Sequence, residues 1–501
     1  MDNSESNSNA VNKVNDLIQK KFFGLARETL IKALAKSPND ISLRIKLVEI
    51  YYELRDSHKA HELITDLLEE IPDNDQLFSL YPHILLGTGR VEEAIEAAIQ
   101  LRERIGLKNP NAIGQLVEIY ETTSREDDLK ELIEGFTPKD DLGEFVKLNG
   151  QARIATRDKE YDTAIRFLTE AKRSIDKITQ PKMFTNKMVD CCFQMAKVYD
   201  RIGEYDKSWE QAEEAHKFHQ QYAPRFDTEK YTQTLEDTAR RMDMSTLKSL
   251  ARSDEQLAWQ PLYIVGNPRS GTSLLEQVLS MHPEVANGGE MTIGVRIQED
   301  LFSITDSFHS WPNTILDMRV EDANQLAQTY MAALKNFSDG KSVVSNKALN
   351  LQLQLGLLSL VTPNAKAIML YRYPLDNCVS CYTTNLLASG HLYCSNLEDM
   401  GKVWMARRKI MEHWQVHLDI PVLELHYEHL VHNQEFETRR ILDFLNLSWD
   451  ESCLEFHKSN LVARTISYDQ VNRKMYTSSS GRWKNYEKHL SPFIDLVSDY
   501  L

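Results

Sequence analysis

The 501-residue sequence predicts an α/β protein in two parts: an N-terminal all-α solenoid, then an α/β domain on a central parallel sheet. Three observations predict it. Residues from about 13 to 245 repeat at a spacing near 34. From about 258 onward, short β-rich runs alternate with amphipathic segments. One of those runs opens directly into a Gly- and Ser-containing loop that starts a helix. The expected domains are therefore a disordered polar tail over 1–12, the solenoid over 13–245 and the α/β domain over 258–501.

In the first part, Ala26, Ala60 and Ala94 stand 34 residues apart, as do Pro38 and Pro72, each of which closes a helix before an Asn/Asp pair. The string LVEIY occurs at 47–51 and again at 116–120, close to two periods on. Tyr161 and Tyr205 begin two further helix-turn-helix units at looser spacing. Alanine at a tight helix contact and proline at the unit's end, with this period, resemble the tetratricopeptide repeat (TPR). One such helix pair cannot bury its own apolar face, so about five or six stacked units are expected to form the core. The resemblance implies a concave groove for a protein or peptide, or a purely structural arm.

In the second part the expected strands are Leu262–Val265, Ser342–Ser345, Ala367–Tyr371 and Val422–His426. Each is followed by a group suited to anion or base recognition: Arg269, Lys347, Arg372 and Tyr427. Ligands of open parallel sheets bind beyond the carboxyl ends of strands, so all four are expected at one site. The first loop, Gly266-Asn267-Pro268-Arg269-Ser270-Gly271-Thr272-Ser273, keeps the glycine spacing of a nucleotide-binding P-loop. Its lysine position is Thr272, however, and the positive charge lies inside the loop at Arg269. Backbone N–H groups at a helix start attract phosphate or sulfate. Arg372 and Ser380 form a second anion pair across a helix start at Pro374. Two anion sites on one edge suggest a nucleotide bearing groups at both its 5′ and 3′ positions.

These motifs resemble the sulfotransferases that use 3′-phosphoadenosine 5′-phosphosulfate (PAPS), first the bacterial sulfotransferases with an N-terminal TPR region and then the tyrosylprotein sulfotransferases. The loop Asn267–Ser273 is similar to the family's 5′-phosphosulfate loop, and Arg372 and Ser380 have its R-x7-S spacing for the 3′-phosphate. His426-Tyr427-Glu428 resembles the segment whose tyrosine contacts adenine, and Gly481-Arg482-Trp483-Lys484-Asn485 the terminal GxWKN segment. The likeness covers about 259–500. It implies that Arg269 and Lys347 stabilise the leaving phosphate, that Ser467 supports the transferring group and that Glu290 is the general base, with His282 as the competing base. There are departures. Tyr373 stands where Asp or Asn is usual, Tyr476-Thr477-Ser478 replace a basic triplet, and Ala348-Leu349 follow the central lysine. The 3′-phosphate would then depend more on Arg372, Ser380 and Arg482. The acceptor hydroxyl remains open among protein tyrosine, carbohydrate, lipid and small phenol. The rival class is a P-loop kinase, which the absent loop lysine disfavours.

Bulk properties narrow the rest. A net charge of −16 disfavours nucleic acid as a partner, so an anionic ligand needs a local basic pocket. No apolar run approaches the roughly 18 residues of a membrane span, and the polar start lacks a secretory core. Cytoplasmic location is therefore expected. The six cysteines make no secreted disulfide framework, and Cys378 and Cys381 read as small apolar side chains one turn apart. No metal site is expected.

Overall fold

Helix follows helix from Asn3 to Ser249, and the first strand begins only at Gln260. The computed structural model describes residues 3–19, 23–54, 56–106, 110–123, 125–177, 181–222, 225–387, 390–458 and 474–501. Two compact units result, 1–150 and 151–501.

In the first unit the helices Phe23–Leu34, Ile41–Glu53, Ser57–Glu70, Asp75–Thr88, Val91–Ile105, Pro110–Thr122 and Glu126–Gly135 pack largely each against the next. The 34-residue register has a packing cause: Ala26, Ala60 and Ala94 are all 0% exposed, where a larger side chain would hold neighbouring helices apart. Both LVEIY copies bury four of their five side chains, Leu47, Val48, Ile50 and Tyr51, then Leu116, Val117, Ile119 and Tyr120. Behind Pro38 and Pro72, Asp40 and Asn74 cap the next helix, accepting from the N–H of Leu43 at 3.0 Å and of Leu77 at 3.1 Å. A helix over Asn3–Gln19 takes in most of the stretch expected to be a disordered tail. Val14 and Leu17, one turn apart, are buried in the core shared with Leu30 and Leu43, and their helix extends back through the polar residues.

The second unit starts with more helices: Tyr161–Ile175, Pro181–Arg201 and Tyr205–Tyr222 pack each on the next, and Thr228–Arg241 packs on the later helix Leu397–His417. Five parallel strands follow: β1 (Gln260–Gly266), β2 (Val285–Ala286), β3 (Val343–Asn346), β4 (Lys366–Tyr371) and β5 (Val422–His426), in the order β2-β3-β1-β4-β5. The four expected strands are present within one or two residues, and β2 was not foreseen. Alternation along β1 and β4 sends Tyr263, Val265, Ala367 and Met369 to one face, and Leu262, Ile264, Ile368 and Leu370 to the other. Helices cover both faces, so the sheet is buried as parallel sheets require. No helix among the described residues is long and apolar enough to cross a membrane.

The break between units falls at Gly150/Gln151, well before the 245–258 change in sequence pattern. The later helices belong with the α/β part because side chains of Tyr205–Tyr222 are fastened to its helix Pro374–Tyr382 and to its terminal segment. Trp209 stacks on Tyr382 at 4.2 Å and on His489 at 4.9 Å. His216 Nε2 meets the Tyr382 carbonyl at 2.9 Å, while its Nδ1 is buried without a partner.

That geometry fixes a neutral imidazole: a second proton would sit on Nδ1 facing no acceptor. Burial brings the His216 pKa down from 6.5 to about 4. The unfolded chain therefore binds the extra proton first, and stability, level above pH 6.5, falls as pH drops toward 4. Denaturant unfolding at pH 6.5 and pH 5 should differ by about 2 kcal/mol more in the wild type than in His216→Gln. Equal pH dependence in the two proteins would contradict the assignment.

Candidate active site at the carboxyl ends of the strands

β1 ends at Gly266, and a five-residue turn, 267–271, leads into the helix Thr272–Ser280. The Ser270 N–H donates to the Asn267 carbonyl at 3.1 Å, which closes the turn. Gly266 has no space for a side chain, since a Cβ would stand 2.4 Å from Ser270 Oγ and 2.9 Å from the Leu370 carbonyl. Arg269 (φ 64°) and Gly271 (φ 103°) both adopt the left-handed region, an unfavoured conformation for arginine. Contacts from the helix Pro374–Tyr382 hold the turn there: Pro268 O accepts from Asn377 Nδ2 at 2.8 Å and from Cys381 Sγ at 3.4 Å. Ser270 Oγ is buried with no hydrogen-bond partner. Thr272 is buried and Ser273 half-buried in the first helical turn.

The two expected anion sites share a wall. Arg269 Nε donates to Ser380 Oγ at 3.1 Å, and Arg372 NH1 donates to the Arg269 carbonyl at 2.7 Å. Arg372 NH2 donates to Ser479 O at 2.9 Å, while its Nε is buried with no partner. Burial, and behind it the charges of Arg372 and Arg482, brings the Arg269 pKa down to about 10, so it remains a cation at neutral pH. Tyr427 lies beneath this cluster, with the Arg372 guanidinium 4.7 Å above its ring and a ring edge against Gly271. Expected to meet adenine, the Tyr427 ring is 6% exposed and serves as a platform for Arg372.

The terminal segment closes the same edge. Asp376 accepts the N–H groups of Gly481 at 2.7 Å and Trp483 at 2.8 Å, and the Trp483 ring stands 5.9 Å from that of Tyr373. Lys484 points to solvent. Arg482, expected to serve the 3′ anion, is paired with Asp200 on Pro181–Arg201, its NH2 2.8 Å from Oδ1. Local sequence could not show this partner, which is 282 residues away.

Lys347 and Glu290 are brought together after β3, with Nζ donating to Oε1 at 3.1 Å. Glu276, from the helix that the anion turn starts, lies 3.9 Å from the same Nζ and accepts from Gly289 N at 3.0 Å and Ser345 Oγ at 2.6 Å. Burial raises the Glu276 pKa, opposed by Lys347. The lysine is 3% exposed and Glu290 20%, so the pair opens on its carboxylate side. His282, the competing base, is 2% exposed, with Nε2 on Ser448 O at 3.0 Å and Nδ1 accepting from Glu284 N at 3.1 Å. Both its nitrogens have internal partners, so its role is structural. Ser467 lies outside the described residues.

One central residue carries no motif. Arg407, 1% exposed on the helix Leu397–His417, donates from Nε to Asn267 Oδ1 at 2.9 Å and from NH2 to Gly266 O at 3.3 Å. The same guanidinium bonds to Leu349 O, to Asn350 Oδ1 at 3.4 Å and to Tyr231 OH at 3.1 Å. It thus ties the turn after β1 to the loop after β3. Replacing it with leucine leaves several buried acceptors unpaired, each costing roughly 1–3 kcal/mol. Arg407→Leu should lower unfolding free energy by at least about 3 kcal/mol. A loss below about 1 kcal/mol in denaturant titration would show that the network is not structural.

Residues 261–451 match the model of the sulfotransferase family. The chain is similar to an uncharacterized protein of Aquifex aeolicus (strain VF5), at 25% identity over 474 residues, 93% of this chain and 60% of that one. It is also similar to protein-tyrosine sulfotransferase A of Caenorhabditis elegans, at 27% identity over 226 residues, 42% of this chain and 56% of the relative. The chain thus spans under two thirds of the length of these relatives. Among solved structures, the sulfotransferase domain of the Synechococcus PCC 7002 olefin synthase matches with a TM-score of 0.34 at 17% identity, covering 47% of this chain and 90% of that one. All five strands but the first residue of β1, and the site's anchors Arg269, Glu290, Lys347, Arg372 and Ser380, thus lie within the stretch that matches the sulfotransferase family model.

Proposed function

We propose that the protein transfers a sulfuryl group from PAPS to an acceptor hydroxyl, with the helical repeat recruiting a protein acceptor in the cytoplasm. One observation supports the donor above the others: Ser270 Oγ and Arg372 Nε are buried, lack partners and sit at adjacent anchors joined by Arg269. Buried polar atoms of this kind cost free energy unless something satisfies them, and the oxygens of phosphate or sulfate do so. The donor set, two arginines, serine hydroxyls and a helix start, fits a ligand with anionic groups at two ends. The six cysteines are buried and unbridged, in keeping with a reducing compartment.

When bound, PAPS supplies an activated sulfuryl group. Arg269 and Lys347 offset the charge that the departing 5′-phosphate gains as its bond to sulfur breaks. Glu290 takes the proton of the acceptor hydroxyl as the new O–S bond forms. In the resting protein its Oε1 accepts from Lys347 Nζ at 3.1 Å, which holds the carboxylate beside the lysine that faces the leaving group. Positioning and electrostatics do most of the work, as in phosphoryl transfer. The named relative makes a protein tyrosine the first acceptor to test.

Glu290→Gln should lower transfer from PAPS by about 10²–10⁴-fold while leaving affinity for adenosine 3′,5′-bisphosphate within about threefold. Full activity in this variant would remove Glu290 from the chemistry. Adenosine 3′,5′-bisphosphate at about 100 times its Kd should stabilise the fold by about 2.7 kcal/mol without magnesium. If ATP with magnesium stabilises it far more, the kinase reading replaces this one.

A further inference from the structure

The helical repeat also reaches the terminal segment beside the strand edge. Asp200, on the repeat helix Pro181–Arg201, uses Oδ1 to accept from Arg482 Nε at 3.1 Å, Arg482 NH2 at 2.8 Å and Tyr486 OH at 2.5 Å. Tyr486 is itself fully buried against the repeat, with Tyr205 at 5.4 Å and Trp209 at 5.8 Å between ring centres. The backbone on either side of Arg482 is held from the opposite direction, by Asp376 through the N–H groups of Gly481 and Trp483. Arg482 is therefore anchored at both ends, its main chain on the sheet domain and its guanidinium on the repeat.

Arg372 NH1 holds the Arg269 carbonyl at 2.7 Å and its NH2 holds Ser479 O at 2.9 Å, so the segment that carries Arg482 lies against the Arg269–Arg372 pair. Like charges in a partly desolvated site repel more strongly than they would in water. An arginine on a terminal segment would relieve that repulsion by turning outward. Asp200, bonded to both Nε and NH2, holds the Arg482 guanidinium in one orientation before any ligand arrives. Pre-organisation of this kind is what improves anion affinity.

We propose that Asp200 is a positioning residue of the donor site, acting through Arg482 to strengthen binding of the donor's second anionic group. The helical repeat would then be a wall of that site as well as a recruiting arm. This rests on the PAPS reading above and deepens it.

The test uses the full chain and two probes, adenosine 3′,5′-bisphosphate and adenosine 5′-monophosphate, titrated calorimetrically. Asp200→Ala should weaken the bisphosphate about tenfold while changing the monophosphate by less than about twofold. Asp200→Asn, which keeps the shape, should show the same selectivity with a smaller loss and covers the case of poor folding by the alanine variant. In an Arg482→Gln background, Asp200→Ala should add nothing. A general structural role would weaken both probes alike, and that result, an unchanged ratio of affinities, or a further loss in the Arg482→Gln background overturns the proposal. Wild-type protein that binds neither probe overturns the donor reading itself.

Discussion

The buried guanidinium of Arg407 is the constraint on which the site depends. A charge removed from water is tolerated only when its donors are met, and Arg407 meets Gly266, Asn267, Leu349, Asn350 and Tyr231. Those partners lie on two strand ends and one repeat helix, so satisfying one side chain sets where the loops after β1 and β3 stand relative to each other. The turn at 267–271 is otherwise improbable, with an arginine in the left-handed region and a glycine approached by a tyrosine ring. Packing and hydrogen bonds around it over-determine a conformation that the isolated sequence would seldom adopt.

The second organising force is charge. The chain carries a net −16, yet its strand edge collects Arg269, Arg372, Arg482 and Lys347. They stay together because acids from other elements lie behind them. Asp200 faces Arg482, and Glu276 and Glu290 face Lys347. Asp376 works differently: its oxygens hold main-chain N–H groups, so it fixes the terminal segment instead of neutralising a cation. Cations backed by acids in this way are oriented before a ligand binds, which lowers the cost of binding.

Much of this was legible in the sequence for a physical reason. A parallel strand buried on both faces is a short apolar run, and the polar residue just past it marks the sheet edge, so β1, β3, β4 and β5 could be located. The alanines at 26, 60 and 94 could be read because a tight helix contact admits little else at that depth. β2 has two residues, too few for any pattern. Arg407 is one basic residue in an amphipathic helix, and nothing within that helix distinguishes a buried arginine from a solvated one. Arg482 and Tyr427 meet Asp200 and Arg372, partners far away in sequence, and no local pattern carries contacts of that kind. Cys381, read as a small apolar side chain, is buried as such and also donates to Pro268 O.

A structure of the protein in complex with adenosine 3′,5′-bisphosphate tests the central claim most directly. The account predicts one phosphate within hydrogen-bond distance of Ser270 Oγ and the other within reach of Arg372 Nε, with Arg269 between them. A ligand lodged elsewhere, leaving both atoms as solitary as they are now, would contradict it.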